Sequence, residues 1–216
     1  MNKLEKSEIV LKELDRLYPD PKCELTYNKD YELLLKVMLS AQTTDKRVNK
    51  VADNLFKKYN TLEKLNTLNV KEIETFIKEI GMYKQKAKYF KAIVENLMDL
   101  GGKVPVDRKT LEKIPGIGRK TINVVISNLF NEPAIAVDTH VSRVSKRLGF
   151  ANNKDDVLLI ENKLMRDFPK TRWSKLHHQL VLFGRYTCKA KNPKCDSCPF
   201  VSFCKEKSKH FDKLPK

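Results

Sequence analysis

The sequence predicts an all-α protein built from many short helices. Apolar residues recur at steps of three and four along most of the chain, whereas the period-two alternation typical of strands is nearly absent. Proline and glycine end these patterns, as at Pro19 and at Gly101-Gly102. The 216 residues are enough for one large domain or two small ones.

The individual helices follow from the same spacing. Leu14 and Leu17 belong to an N-terminal helix that stops near Pro19, and Thr43-Thr44-Asp45 supplies an N-cap cluster for a later helix. The stretch 122–130 is apolar almost all round, so we expect it to be buried at the centre of the fold. The predicted helical stretches are 9–17, 48–59, 87–98, 122–130, 139–149, 155–168 and 173–187.

The charge of the chain indicates a polyanionic partner. Lysine and arginine total 43 against 27 aspartates and glutamates, for a formal net charge of +16. Such an excess favours nucleic acid, because basic side chains neutralise phosphates and release counterions. A generally lysine-rich composition without a ligand is the alternative reading.

The N-terminal residues and the length of the apolar runs indicate where in the cell the protein is located. Met1–Lys6 is charged and lacks the apolar core of a secretion signal, and no apolar run approaches the roughly 18 residues of a membrane span. We therefore expect a soluble, cytoplasmic protein that does not associate with a membrane.

Four of the five cysteines lie together near the C-terminus, in the pattern Cys188-x6-Cys195-x2-Cys198-x5-Cys204. Clustered thiolates in a cytosolic protein indicate a metal centre, and the single CxxC pair favours an iron–sulfur cluster over a zinc site. Disulfides or unused cysteines are the alternative, which the reducing cytosol disfavours. Cys23 stands outside the pattern and is predicted to be a structural thiol.

A helix–hairpin–helix is predicted between Leu111 and Thr121, with the first helix ending at Pro115. Gly116 and Gly118 would let the backbone approach a ligand closely, and the N–H groups at the start of the following helix would form an anion site. Arg119 and Lys120 behind the hairpin make phosphate the expected anion. An ordinary helix–helix turn is the alternative.

Together these motifs resemble the endonuclease III family of DNA repair glycosylases, from about Tyr31 to Cys204. The resemblance rests on the hairpin, on the cysteine spacing, and on the segments Leu39–Asp45, Ala136–His140 and Gly184–Cys188. It implies a bifunctional enzyme that removes oxidised pyrimidines from duplex DNA and then cleaves the strand at the abasic site. It also implies two helical domains that flank a DNA-binding cleft, and we expect a monomer.

The resemblance further implies the domain bounds and the cofactor. Residues 25–133 would form a continuous six-helix domain with the hairpin, and residues 1–24 and 134–216 a discontinuous one. One 4Fe–4S cluster per chain would be held by Cys188, Cys195, Cys198 and Cys204. The loop that the cluster pins would present Lys189, Lys191 and Lys194 to the DNA backbone.

The chemistry of the reaction assigns the catalytic residues. Lysine can attack the sugar C1′ and then act as an electron sink for β-elimination, and Lys120 is the lysine of the hairpin. A phosphate-binding lysine is the alternative. The helix N-terminus and desolvation at this position would both disfavour its cationic form. Asp138 could stabilise the developing oxocarbenium charge and also cap the next helix. His140 could contact phosphate or Asp138, or be structural.

The damaged base must leave the stack to be reached, and the space it leaves must be filled. The resemblance assigns this task to Gln42, while Met82, at a position where many relatives carry leucine, would wedge the opposite strand. Without the family, Gln42 would be interpreted as an exposed helix-end residue and Met82 as core.

Two other functions are compatible with parts of the sequence. A monofunctional glycosylase of the same superfamily would usually lack the hairpin lysine and carry a glutamate near Gln42, which Ser40–Asp45 does not contain. A non-enzymatic DNA-binding protein with a metal cluster would not need both Lys120 and Asp138.

Overall fold

The computed structural model describes residues 2–207 and 209, so Met1, Ser208 and residues 210–216 of the predicted second domain lie outside the described part. All regular secondary structure in the described residues is helical, which confirms the predicted all-α class. The helices are α1 (Lys3–Leu17), α2 (Asp30–Leu39), α3 (Asp45–Lys58), α4 (Leu62–Asn66), α5 (Val70–Ile77), α6 (Tyr83–Asp99), α7 (Arg108–Glu112), α8 (Arg119–Leu129), α9 (Thr139–Leu148), α10 (Val157–Asp167) and α11 (Trp173–Tyr186), with a 3₁₀ turn at Lys170–Arg172.

Every helical stretch predicted from periodicity corresponds to a helix, but four helices, α2, α4, α5 and α7, escaped that analysis. The helix before the hairpin ends at Glu112 and not at Pro115, because the chain turns at Lys113 and the Ile117 N–H donates to the Ile114 carbonyl at 3.1 Å. Thr44 caps α3 as predicted, by accepting from the Arg47 N–H.

The chain divides into two compact units. One of them consists of residues 23–130. Its centre is α2, in which every residue from Tyr31 to Leu39 is buried. Helix α8 packs against α2 and is buried from Ile122 to Ser127, in agreement with the predicted central position. Helix α6 packs against α2, α4 and α5.

The second unit combines the described residues of Met1–Lys22 and Asn131–Lys216. Helix α1 packs against α10 and α11, so the N-terminal helix completes a core made largely by the C-terminal half. Phe183 of α11 meets Phe200 of the cysteine segment edge to face, with ring centroids 5.1 Å apart. Among the described residues, no helix combines the length and the apolar character needed to cross a membrane.

Candidate functional site

The hairpin is held against α6 by a glycine. Gly116 has φ +87°, and a Cβ added there would lie 2.5 Å from the Cγ atom of Tyr89. Both the left-handed backbone and the contact with Tyr89 therefore require glycine at this position. Gly118 differs, because its φ is −98° and a Cβ there would meet nothing within 4 Å. The space in front of Gly118 is open, as the predicted approach of a ligand requires.

Helix α8 begins directly behind this open space. Gly118 is its N-cap residue and provides no side-chain hydrogen bond to the first turn. The positive end of the helix dipole therefore faces outward without a side-chain acceptor, which suits an anion. Arg119 and Lys120 occupy the first two helical positions and are both exposed.

Lys120 differs in one respect from the prediction. Its side chain is exposed, so the expected desolvation of the amine is wrong for this structure. Its place in the first turn of α8 is as predicted.

Gln42 and Met82 share an unusual backbone conformation. Their φ angles are +55° and +57°, in the left-handed region that residues with a side chain rarely adopt. Met82 is also 55% exposed, so the interpretation of this residue as core is wrong. Gln42 is exposed at the end of a turn in which the Thr43 N–H donates to the Ser40 carbonyl at 3.0 Å. Outliers of this kind concentrate at ligand-binding sites.

In the other unit, Asp138 caps helix α9. Its Oδ1 atom accepts from the Val141 N–H at 2.8 Å, which confirms the predicted N-cap role. The carboxylate is half-buried, and its position is set by the start of the helix. His140, the second residue of α9, places its Nδ1 3.2 Å from Nη2 of Arg143.

Helix α9 is also the support of the cysteine segment. Arg143 donates to the carbonyl oxygens of Gly184 and Cys188 at 2.7 and 3.0 Å. Arg147, one turn further, donates through Nη1 to the Lys189 carbonyl at 2.7 Å and lies 3.4 Å from Sγ of Cys188. The helix that Asp138 caps therefore also fixes the first cysteine.

The four clustered cysteines line one recess of about 340 Å³, a volume that includes its solvent-open part. Burial raises the pKa of Cys198 to about 11 and also raises the pKa of Cys188, which Arg147 opposes. The protein alone therefore does not stabilise these groups as thiolates, and a bound cationic centre would.

The lining of the recess is compatible with a metal centre. Cys188, Cys195, Cys198 and Cys204 all contribute to it, and cysteine thiolates are the usual ligands of iron–sulfur clusters.

The loop between the first two cysteines presents its lysines to solvent. The side chains of Lys189, Lys191 and Lys194 are all exposed, as predicted. The backbone is nevertheless held, since the Lys194 N–H donates to the Thr187 carbonyl at 3.0 Å. Cys23 is half-buried and belongs to the 23–130 unit.

Comparison with known proteins decides the family. Residues 35–170 match the HhH-GPD superfamily base excision DNA repair proteins, and residues 188–204 match the iron–sulfur binding domain of endonuclease III. The chain is 48% identical to endonuclease III of Bacillus subtilis (strain 168), over 97% of this chain and 96% of that protein. It is 43% identical to endonuclease III of Escherichia coli (strain K12), over 97% and 99%. The chain belongs to the endonuclease III family.

Solved structures of the endonuclease III family agree with this assignment. A trapped endonuclease III–DNA covalent intermediate, an estranged-adenine complex, matches with a TM-score of 0.91 and 47% identity over 95% of this chain and 96% of that one. A non-covalent endonuclease III–DNA complex matches with the same TM-score, identity and coverage. A thermostable thymine-DNA glycosylase matches with a TM-score of 0.79 and 25% identity over 93% and 96%.

The predicted family, helical fold, enzyme class and iron–sulfur cofactor are thereby confirmed. The second match begins at Cys188 and ends at Cys204, the outer cysteines of the predicted ligand set. Three further residues could not be identified from the sequence, namely Lys86, Arg143 and Arg147, since a basic residue on an amphipathic helix looks like an ordinary surface residue. Only the structure shows that Lys86 is buried and that both arginines contact the cysteine segment.

Proposed function

We propose that this chain removes oxidised pyrimidines from duplex DNA and cleaves the resulting abasic site by β-elimination, with Lys120 as the Schiff-base nucleophile. The observation that carries the proposal is the position of Lys120 in an endonuclease III family chain. It is exposed in the first turn of α8, directly after a hairpin whose second glycine faces open space.

In this proposal Lys120 performs both chemical steps. Its neutral amine attacks C1′ of the damaged nucleotide and displaces the base. The Schiff base that follows acidifies the C2′ proton, so that the 3′-phosphate leaves by β-elimination. The exposed side chain can reach a nucleotide that has left the stack.

Asp138 stabilises the positive charge that develops on the sugar as the base departs. One carboxylate oxygen accepts from the Val141 N–H, which fixes the orientation of the group, and a carboxylate has further lone pairs for a second partner. His140 contacts phosphate in this proposal, with Arg143 against its Nδ1 atom.

Gln42 and Met82 occupy the space from which the base departs. The exposed, apolar Met82 wedges into the opposite strand and the exposed Gln42 fills the gap. A left-handed backbone at both positions supports this role, because strained backbone of this kind concentrates at ligand-binding sites.

The DNA backbone is bound through charge and through backbone N–H groups. The hairpin that leads into α8, Gly116–Arg119, binds one phosphate. Lys189, Lys191 and Lys194 contact the backbone elsewhere, without base specificity. Cys188, Cys195, Cys198 and Cys204 would hold the 4Fe–4S cluster, which when bound supplies a rigid cross-link for this loop.

We also propose that residues 25–133 act as one domain and residues 1–24 and 134–216 as the other, bounds that lie close to those of the two compact units. We further propose that the enzyme is a monomer that acts in the cytoplasm at the nucleoid.

Borohydride trapping tests the central assignment. Reduction of the Schiff base should give a covalent complex of wild-type protein with abasic-site DNA. Lys120→Gln should give none while it still binds the DNA, because the amide cannot form the imine. A trapped complex at wild-type yield in Lys120→Gln would refute the role of Lys120. Absence of trapping by wild type, with base release retained, would favour a monofunctional glycosylase.

A further inference from the structure

Lys86 of α6 is a buried cation that the proposed chemistry does not use. Only 3% of the surface of this residue is exposed. The ammonium group donates to the carbonyl oxygens of Leu39 and Ala41 at 2.8 and 2.6 Å and to Oγ1 of Thr43 at 3.2 Å. An ammonium has three N–H donors, and each of them has an oxygen acceptor here.

Burying the Lys86 ammonium costs free energy, and its position near the end of α2 offsets part of this cost. Burial lowers the pKa of Lys86, because desolvation disfavours the cation. The carbonyls of Leu39 and Ala41 lie at the C-terminal end of α2, where the helix dipole favours a positive charge. An apolar residue in this place would leave two backbone carbonyls without the donor that they now have.

Two of the three acceptor oxygens belong to the residues on either side of the exposed Gln42. Ala41 precedes Gln42 and Thr43 follows it, so the ammonium binds the backbone on one side of Gln42 and the hydroxyl on the other. Gln42 has φ +55°, a conformation that costs free energy and persists only where its surroundings enforce it. The hydrogen bonds from Lys86 to Ala41 and Thr43 restrain the backbone on both sides of Gln42 in this way.

The backbone of Lys86 is bound to the other insertion residue. Its N–H donates to the Met82 carbonyl at 3.0 Å, in the first turn of α6. Met82 is the N-cap residue of that helix, with φ +57°. One residue is therefore hydrogen-bonded both to Met82, through its backbone, and to the turn that carries Gln42, through its side chain.

We propose that Lys86 is a positioning residue for insertion into duplex DNA, one that fixes Gln42 and Met82 relative to each other without itself touching DNA. The inference rests on the roles of Gln42 and Met82 in the proposed function. It adds a residue that acts before chemistry, at the step in which the vacated space in the stack is filled.

The test compares two abasic substrates with the full-length, cluster-containing protein. An abasic site in a duplex has an opposite strand and a stack to fill, whereas the same site in a single strand has neither. Lys86→Met should lower the single-turnover rate of borohydride trapping on the duplex at least tenfold and change the rate on the single strand less than twofold. Lys88→Met, the same change at an exposed position of the same helix, should leave both rates within twofold of wild type.

A second measurement asks whether Lys86 acts through the insertion residues. In the Gln42→Ala, Met82→Ala background, adding Lys86→Met should lower the duplex rate by less than threefold, because the groups that it positions are gone. A tenfold fall in that background, or equal falls on duplex and single strand, would overturn the inference.

Two further results have their own interpretation: a Lys86→Met variant that does not fold, and a failure of the proposed function. If Lys86→Met does not fold, Lys86→Arg, which keeps the charge with different donor geometry, is measured in the same way, and the same two comparisons decide. If wild type is trapped on neither substrate, the proposed lyase chemistry is wrong. If Gln42→Ala, Met82→Ala leaves the duplex rate unchanged, the proposed insertion roles are wrong and the inference on Lys86 is overturned with them.

Discussion

Replacing Gly116 by alanine should destabilise the 23–130 unit through two separate terms. The residue has φ +87°, and left-handed backbone costs an alanine roughly 1–2 kcal/mol. Its new Cβ would lie 2.5 Å from Cγ of Tyr89, and overpacking of this kind costs about 1–3 kcal/mol. The free energy of unfolding should therefore fall by about 2–5 kcal/mol, which for a chain of this size lowers the Tm by roughly 4–20 °C.

Gly118→Ala is the matched control, two residues away in the same hairpin. Its φ is −98° and its Cβ would meet nothing within 4 Å, so neither term applies. The cost in stability should stay within about 1 kcal/mol, the weaker capping by alanine. If DNA phosphate approaches here, Gly118→Ala should instead weaken binding to abasic-site duplex, measured by titration.

A double-mutant cycle can measure how strongly Tyr89 restricts the residue at position 116. Thermal unfolding of Gly116→Ala, Tyr89→Ala and the double variant should show a coupling of about 1–3 kcal/mol, because removal of the ring relieves the clash. Additive losses would mean that Tyr89 does not restrict this position. Equal Tm values for Gly116→Ala and Gly118→Ala would refute the distinction between a structural and a ligand-facing glycine.

Three further predictions concern the proposed site. Asp138→Asn should keep the cap on α9, since asparagine caps as well as aspartate, yet lower glycosylase turnover about 10²-fold; a fall below tenfold would leave Asp138 only a cap. Lys191→Ala should reduce the slope of log affinity against log salt by about one unit with the cluster colour retained, and an unchanged slope after all three loop lysines are replaced would place the DNA elsewhere. Chemical analysis should find four iron and four sulfide per chain in wild type and in Cys23→Ser, whereas a colourless, zinc-containing protein would contradict the cluster.

The features that could be predicted from the sequence are those that depend on neighbouring residues. Helices α3, α6, α8 and α9 follow from apolar spacing, and the caps Thr44 and Asp138 act within one turn of their own position. The cysteine spacing indicates a metal centre because three ligands lie within ten residues of one another. The central helix α2 escaped periodicity analysis because Leu33–Leu35 and Val37–Leu39 form almost one continuous apolar run, in which no spacing of three or four stands out.

Only the tertiary structure determines how residues far apart in sequence meet. In the sequence, Lys86 looks like any lysine of an amphipathic helix. The packing of α6 on α2, however, places its ammonium beside the Leu39 carbonyl, which is 47 residues away in the sequence. Arg143 and Arg147 contact the cysteine segment because α9 packs against α11. Local periodicity records which face of a helix is buried, whereas the partner that covers that face, and the polar groups it brings, depend on how the chain packs as a whole.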